Sequence, residues 1–223
     1  MPKCLQVPVL TVLILSCVGS SAVAGETIDS VEKKLATQWS KVKSLSAKLR
    51  MEGVSDSMTG VGVYQLLKKG DRTTYRMDMS LGEEIDTTTI SDGEFILSIT
   101  DHRGQKLAMK MRPDETQVVA PTAQLAQLRA SHDLKLLPEQ TVSGQAVYVI
   151  EATPKHREGH VGRTIFYYAK ETGVPVRMTV YSASGQLLSD MTLSEIEINP
   201  ALDPSRFAIK PPPGVELMDM TKR

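Results

Sequence analysis

"IDSVEKKLATQWSKVKSLSAKLRM", residues 28–51, changes its apolar period halfway along. Ile28, Val31, Leu35, Trp39 and Val42 recur at steps of three and four, with Glu32, Lys33, Lys34 and Lys41 between them. That spacing predicts an amphipathic helix with a single apolar stripe, started by Thr27 or Asp29 as N-cap. After Lys43 the period falls to two. Leu45, Ala47, Leu49 and Met51 alternate with Ser44, Ser46, Lys48 and Arg50, which sets the first group on one face of a strand. A helix that hands over directly to a half-apolar strand points to a sheet with helices packed on it.

Downstream, further β-rich stretches follow: "GVGVYQLL", "TTYRMDM", "DTTTIS", "EFILSIT" and "QKLAMKM", then "QAVYVIEATP", "RTIFYYAK", "VPVRMTVYS" and "QLLSDMTLSEIEI". The separators "KKGD", "SDG", "DHRG", "ETG" and "SASG" are rich in Gly and Asp, which tolerate the positive φ of tight hairpins. Many short strands at hairpin spacing predict an antiparallel meander curling toward a barrel. Residues 112–135 break the rhythm. Pro113 and Pro121 bound a segment in which Leu125 and Leu128 predict a short helix from about Thr122 to Ala130, read as a lid or a crossover. In the tail, Pro211, Pro212 and Pro213 exclude a central strand. There "FAIK" is expected to end one short strand and "VELMD" to form another on an edge.

The N-terminus reads as an export signal over residues 1–24. Lys3 precedes an apolar run from Leu5 to Val18 that is shorter than the roughly 20 residues a membrane span needs. Ala22-Val23-Ala24 fits a cleavage site, which leaves 25–223 as a single exported domain. A competing signal, Ile14-Leu15-Ser16-Cys17, would put a lipid on Cys17 and fix the chain to a membrane. The bulky Leu15 makes it the weaker match. Both cysteines, Cys4 and Cys17, lie in this leader, so the chain cut after Ala24 has neither disulfide nor thiol chemistry. Its fold must rest on burial alone. Acids and bases balance at 26 each with no basic run, which argues against nucleic acid as a partner.

Catalytic motifs are absent. There is no G-x-S-x-G elbow, P-loop or dinucleotide fingerprint. His156 and His160 in "KHREGH" stand as H-x-E-x-H rather than the helical H-E-x-x-H of zinc hydrolases, and are read as a solvated hairpin loop. Glu83, Glu84 and Asp86 beside Gly82 read as a solvated turn. The chain is expected to be neither an enzyme nor a metal or cofactor protein. What remains is methionine-rich apolar surface: Met77 and Met79 share one strand face, as do Met109 and Met111. The thioether side chain is flexible and polarizable, suited either to core packing or to a soft lining for a lipid tail. The candidate lining takes Leu49 and Met51 from the first strand and Val61 and Val63 from the second. To these it adds Met77, Met79, Phe95, Leu97, Met109 and Met111 from later strands, with Leu125 and Leu128 from the helix of the insert.

The order of helix, meander, helical insert, meander and "F-x-I-x-P-P-x-G-V" resembles the outer-membrane lipoprotein carrier family, the LolA/LolB-like proteins. "TISDGEFI" (89–96) and "RFAIKPPPGVELMD" (206–219) carry most of the likeness, and "TGVPVRMTVYSASGQLLSDMTLSEIEIN" is similar to the family's paired late strands. The resemblance implies an incomplete antiparallel barrel with a helical lid over a hydrophobic cavity. It also implies a periplasmic, non-enzymatic, monomeric carrier without cofactor. Such a carrier takes lipoprotein acyl chains from an inner-membrane ABC-type release complex and passes them to an outer-membrane receptor. Lys68 or Lys69 stands where the carriers have a lid-latching arginine, and aromatic residues usual in the lining are mostly replaced. A relative that handles another lipid, an anchored receptor, or an envelope sensor of the same fold fits the same pattern.

Overall fold

The computed structural model describes residues 26–55, 58–70, 72–113, 120–156 and 159–221. Cys17 and the cleavage site after Ala24 lie outside them. Helix α1 spans Ile28–Trp39 and is capped as its sequence asks: Thr27 accepts from the Ser30 amide while Ser30 accepts from the Thr27 amide. Strands β1 (Ser44–Gly53), β2 (Gly60–Lys69), β3 (Arg72–Leu81), β4 (Ile85–Ser91), β5 (Ile96–His102) and β6 (Gln105–Met111) follow as one meander. Helix α2 (Pro121–Ser131) separates it from a second, formed by β7 (His132–Val142), β8 (Gln145–Pro154), β9 (Val161–Ala169), β10 (Pro175–Ser182) and β11 (Leu187–Ile198).

The two meanders join where β1 pairs with β11. The result is one twelve-stranded sheet in the order β12-β6-β5-β4-β3-β2-β1-β11-β10-β9-β8-β7, where β12 is Leu217–Asp219. Its edge strands do not pair with each other, so the sheet is an open barrel. It is strongly rolled. Ser143, in the β7–β8 turn, lies 3.4 Å from the Leu193 carbonyl of β11, although β8 and β11 are three strands apart, about 14 Å in a flat sheet.

Two tail and insert expectations change. "FAIK" is not a strand: Pro204–Phe207 forms a single 3-10 turn, started by Asp203, whose carboxylate accepts from the Ser205 amide. The edge strand does form at the C-terminus, but it runs parallel to β6, the one parallel pair among the described residues. The insert ends at His132, where β7 begins, rather than at Lys135, and this strand is hidden in the sequence by Pro138. That proline sits at the register break between Leu137 and Gln140 on an edge strand, where its missing donor does no harm.

The core forms two clusters. One gathers Val31 and Leu35 of α1 and Leu125 of α2 over Tyr148, Ile150, Phe166 and Tyr168. The other joins Trp39, Leu45, Leu49, Leu66 and Met79 to Val147, Val149 and Tyr167. Alternate residues of β8 and β9 thus serve different clusters. Both faces of these strands are buried, which is why "AVYVI" and "TIFYY" read as continuous apolar runs. Gly173 lets the β9–β10 turn pass under α1. It has φ +71°, and a Cβ there would lie 2.8 Å from the Leu35 carbonyl oxygen.

Candidate functional site

Strand pairing decides which side chains share a face. Met51 is paired directly with Met191, and Met191 with Met178. Leu49 pairs with Gly62 and Gly62 with Met79, while Met77 leads through Thr89 and Ser98 to Met109. Seven of the eleven methionines, Met51, Met77, Met79, Met109, Met111, Met178 and Met191, therefore stand on one face. Met79 is buried and the other six are half-buried. Met178 leans on the α1–α2 cluster, and Met51, Met77 and Met191 on the other.

The candidate lining divides along this pairing. Leu49, Met51, Met77, Met79, Met109 and Met111 share the methionine face. Val61 and Val63 point the opposite way and are 62% and 40% exposed, because Gly60, Gly62 and Tyr64 take the methionine side of β2. Leu97 also lies on the opposite face, paired with Ile90 and fully buried. Phe95 sits beyond the start of β5 beneath Lys110, whose ammonium is 3.9 Å from the ring centre. Leu125 and Leu128 pack on the helix side. The methionine face is not uniformly apolar either. Thr87, Thr89, Ser98 and Thr100 lie between Met77–Met79 and Met109–Met111, so β4 and β5 carry a belt of hydroxyls. Met178 and Met191 escaped sequence reading, since only the pairing of β1, β11 and β10 shows which side they take.

Of the two latch candidates, Lys69 is exposed and Lys68 is engaged. The Lys68 ammonium donates to the Trp39 carbonyl at 2.5 Å, at the C-terminal end of α1, and lies 4.1 Å from the Trp39 ring centre. Burial pulls this lysine down to about 8. At the far end of α1, Arg129 of α2 donates to Asp29 and Glu32 at 2.5 and 2.9 Å. Tyr168, fully buried under α2, donates to Gln124 at 2.9 Å, and burial raises its phenol well above the ordinary value.

The opposite face of β3–β6 is charged. Arg76 holds Asp78 with two bonds of 2.7 Å, Thr88 donates to the same carboxylate, and Arg206 from the C-terminal segment approaches it at 3.5 Å. Burial pushes the Asp78 carboxyl up, but the bonds from Arg76 and Thr88 outweigh it and hold the group below the ordinary value. His156 and His160 are exposed, on either side of the β8–β9 connection. Among the described residues no cluster of His, Cys, Asp and Glu has the makings of a metal site, and no helix is long and apolar enough to cross a membrane.

A family model described only as an uncharacterized protein matches residues 125–203. No curated protein matches the chain. Among solved structures, an uncharacterized conserved protein from Thermus thermophilus superposes with TM-score 0.59 at 11% identity, over 86% of this chain and 98% of that one. MucB of Pseudomonas aeruginosa, solved as a MucA/MucB complex, gives 0.55 at 15% identity over 81% of this chain and 61% of the other. The chain spans about three fifths of the length of the MucB structures it matches. A LolA superfamily protein from Nitrosomonas europaea gives 0.36 at 15% identity, over 82% and 98%. At these identities what is shared is the fold. The fold shared with the Thermus protein and with MucB is an unclosed antiparallel barrel with two helices packed on it.

Proposed function

We propose that the chain is an exported, non-enzymatic binding protein that shelters acyl chains of a lipoprotein or another lipid against its methionine face. One observation carries this reading: seven methionines share a single sheet face and six of them are only half-buried, with Met178 packed against the α1–α2 cluster. Each methylene moved from water to an apolar site is worth about 0.8 kcal/mol, so a multi-acyl lipid does not leave a bilayer unescorted. Unbranched thioether side chains adapt to chains of varied length and saturation. In this reading the leader is cut after Ala24. The free chain then travels through the periplasm between a release complex at the inner membrane and a receptor at the outer one. Retention through a lipidated Cys17 is the alternative, and the mass of the mature N-terminus separates the two.

The test is native mass spectrometry of the purified protein, together with uptake of a fluorescent acyl probe. Met77→Glu and Met191→Glu are expected to lower probe affinity at least tenfold while the circular dichroism of the sheet is unchanged. Equal uptake by folded variants would refute the assignment. A second reading is supported by the likeness to MucB, which was solved in complex with MucA. On that reading the same face takes a polypeptide. It requires that the two variants lose a bound peptide and that no acyl chain co-purifies.

A further inference from the structure

We infer a second binding site, for a phosphate-type anion, between the charged face of β3–β6 and the C-terminal segment that crosses it. The cavity there has a volume of about 530 Å³, in the range of small-molecule sites. Ile90 and Ile99 give its floor an apolar patch beside Thr88, and its roof includes Ala208 and Pro212. Cations dominate the walls: Arg76 and Lys106 from the sheet, Arg206 and Lys210 from the segment.

The distribution of partners leaves positive charge unspent. Four cations face three carboxylates, Asp78, Asp86 and Asp101. Asp78 is already taken by the fork of Arg76, and Arg206 reaches it only at 3.5 Å with its side chain 47% exposed. Lys106 meets Asp101 at the same 3.5 Å and is 45% exposed. Asp86 accepts from Ser80 at 2.6 Å. Lys210 makes no ion pair among the described residues. Arg76 also donates to the Arg206 carbonyl at 3.2 Å, which holds the two arginines side by side. Two adjacent guanidinium groups and two loosely held ammonium groups suit an anion with several acceptor oxygens, and phosphate offers three or four. The apolar patch suits an ester with a hydrocarbon part. Either a lipid headgroup or a free phosphate ester supplies this chemistry.

If the cluster merely fastens the C-terminal segment, it takes no ligand. Titration of the full mature chain distinguishes the cases, with inorganic phosphate in one arm and dihexanoyl-phosphatidylglycerol in the other, followed by amide NMR shifts. Saturable shifts at Ile99, Arg206 and Lys210 are expected. Lys210→Gln and Lys106→Gln, which break at most one long ion pair, should each weaken binding about tenfold, as expected for loss of one charge-assisted bond. Saturation by both probes, or by phosphate alone, identifies a phosphate site open to free esters. Saturation by the lipid alone identifies a headgroup site that needs the apolar patch. No saturation by either probe in the millimolar range, or unchanged affinity in both lysine variants, overturns the proposal. Because the cavity lies on the opposite face from the methionines, either site stands or falls without the other.

Discussion

Replacing Leu125 with alanine should free α2 while leaving α1 in place, and the structure sets the scale of the difference. Helix α1 buries Val31, Leu35 and Trp39, at 0%, 0% and 6% exposure. Full burial of such side chains is worth about 1.5–3 kcal/mol each, so lifting α1 costs on the order of 5–9 kcal/mol. Helix α2 buries only Pro121 and Leu125 and has no side-chain cap at its start. Its burial, with about 1 kcal/mol for the Tyr168–Gln124 bond, comes to roughly 4–7 kcal/mol. The exposed pairs of Arg129 with Asp29 and Glu32 add little. The gap of about 1–2 kcal/mol corresponds to an opening equilibrium on the order of tenfold more favourable for α2. Hydrogen exchange read by mass spectrometry should therefore show residues 121–131 exchanging well before 28–39. Leu125→Ala, a cavity-forming change worth about 2–5 kcal/mol, should widen that difference. Equal exchange of the two helices in the parent chain would refute the reasoning, because the helix held by three buried side chains would then be no firmer than the helix held by one leucine and a proline.

Asp78 is held below its ordinary 3.8 in the folded chain, so the stability it contributes is full above about pH 4 and lost as pH falls through the folded value. Urea midpoints of Asp78→Asn and the parent should lie closer together at pH 3 than at pH 6, and an offset independent of pH would contradict this. Lys68 runs the other way: its folded value of about 8 lies below 10.5, so the unfolded chain holds the proton more tightly and stability rises between those values. Lys68→Met should abolish that rise, and a variant that keeps it would place its origin elsewhere. A Cβ on Gly62 would lie 2.0 Å from the Asp78 carbonyl oxygen, so Gly62→Ala should cost about 1–3 kcal/mol and lower the melting midpoint; no change would mean that β2 can shift on β3 without strain. A photoreactive acyl chain should label Met51, Met77 or Met191 in preference to Met109 and Met111, and labelling confined to the latter pair would place the lipid elsewhere.

Much of the architecture was legible because local period and local packing agree. The switch at Lys43, the helix around Leu125 and the Gly-bearing turns all act within a few residues. "SDG" shows why: Asp92 accepts from the amides of Glu94 and Phe95 at 2.9 and 2.8 Å, and Gly93 takes φ +87°, so three residues specify the hairpin. Strand β7 was hidden because a proline is read as a strand breaker unless the strand is known to be an edge. "FAIK" misled because Phe207 and Ile209 alternate as strand residues do, yet Phe207 is buried as the last residue of the 3-10 turn. The site was less legible. Alternation shows that Met77 and Met79 share a side, but not whether Val61 shares it with them. That depends on β2 placing Gly62 opposite Leu49, a long-range pairing that one strand's pattern does not contain.

The hydroxyl belt of β4 and β5 bears on how a lipid would lie. Met178, Met191 and Met51 form a direct row across three strands, about 10 Å long, and Leu49, Tyr64, Met77 and Met79 extend it onto β1–β3. Beyond β3 an apolar chain would cover Thr87, Thr89, Ser98 and Thr100, and a buried hydroxyl left without a partner costs about 1–3 kcal/mol. Covering several would offset the gain from several methylenes. The favourable path therefore runs across the strands from β10 to β3, bounded by the α1–α2 pair at one side and by the hydroxyls at the other. Met109 and Met111 fall outside it, near the edge that β12 covers. The chemistry of the sheet thus narrows a broad methionine face to a bounded strip, with α2, the less firmly held helix, on its border.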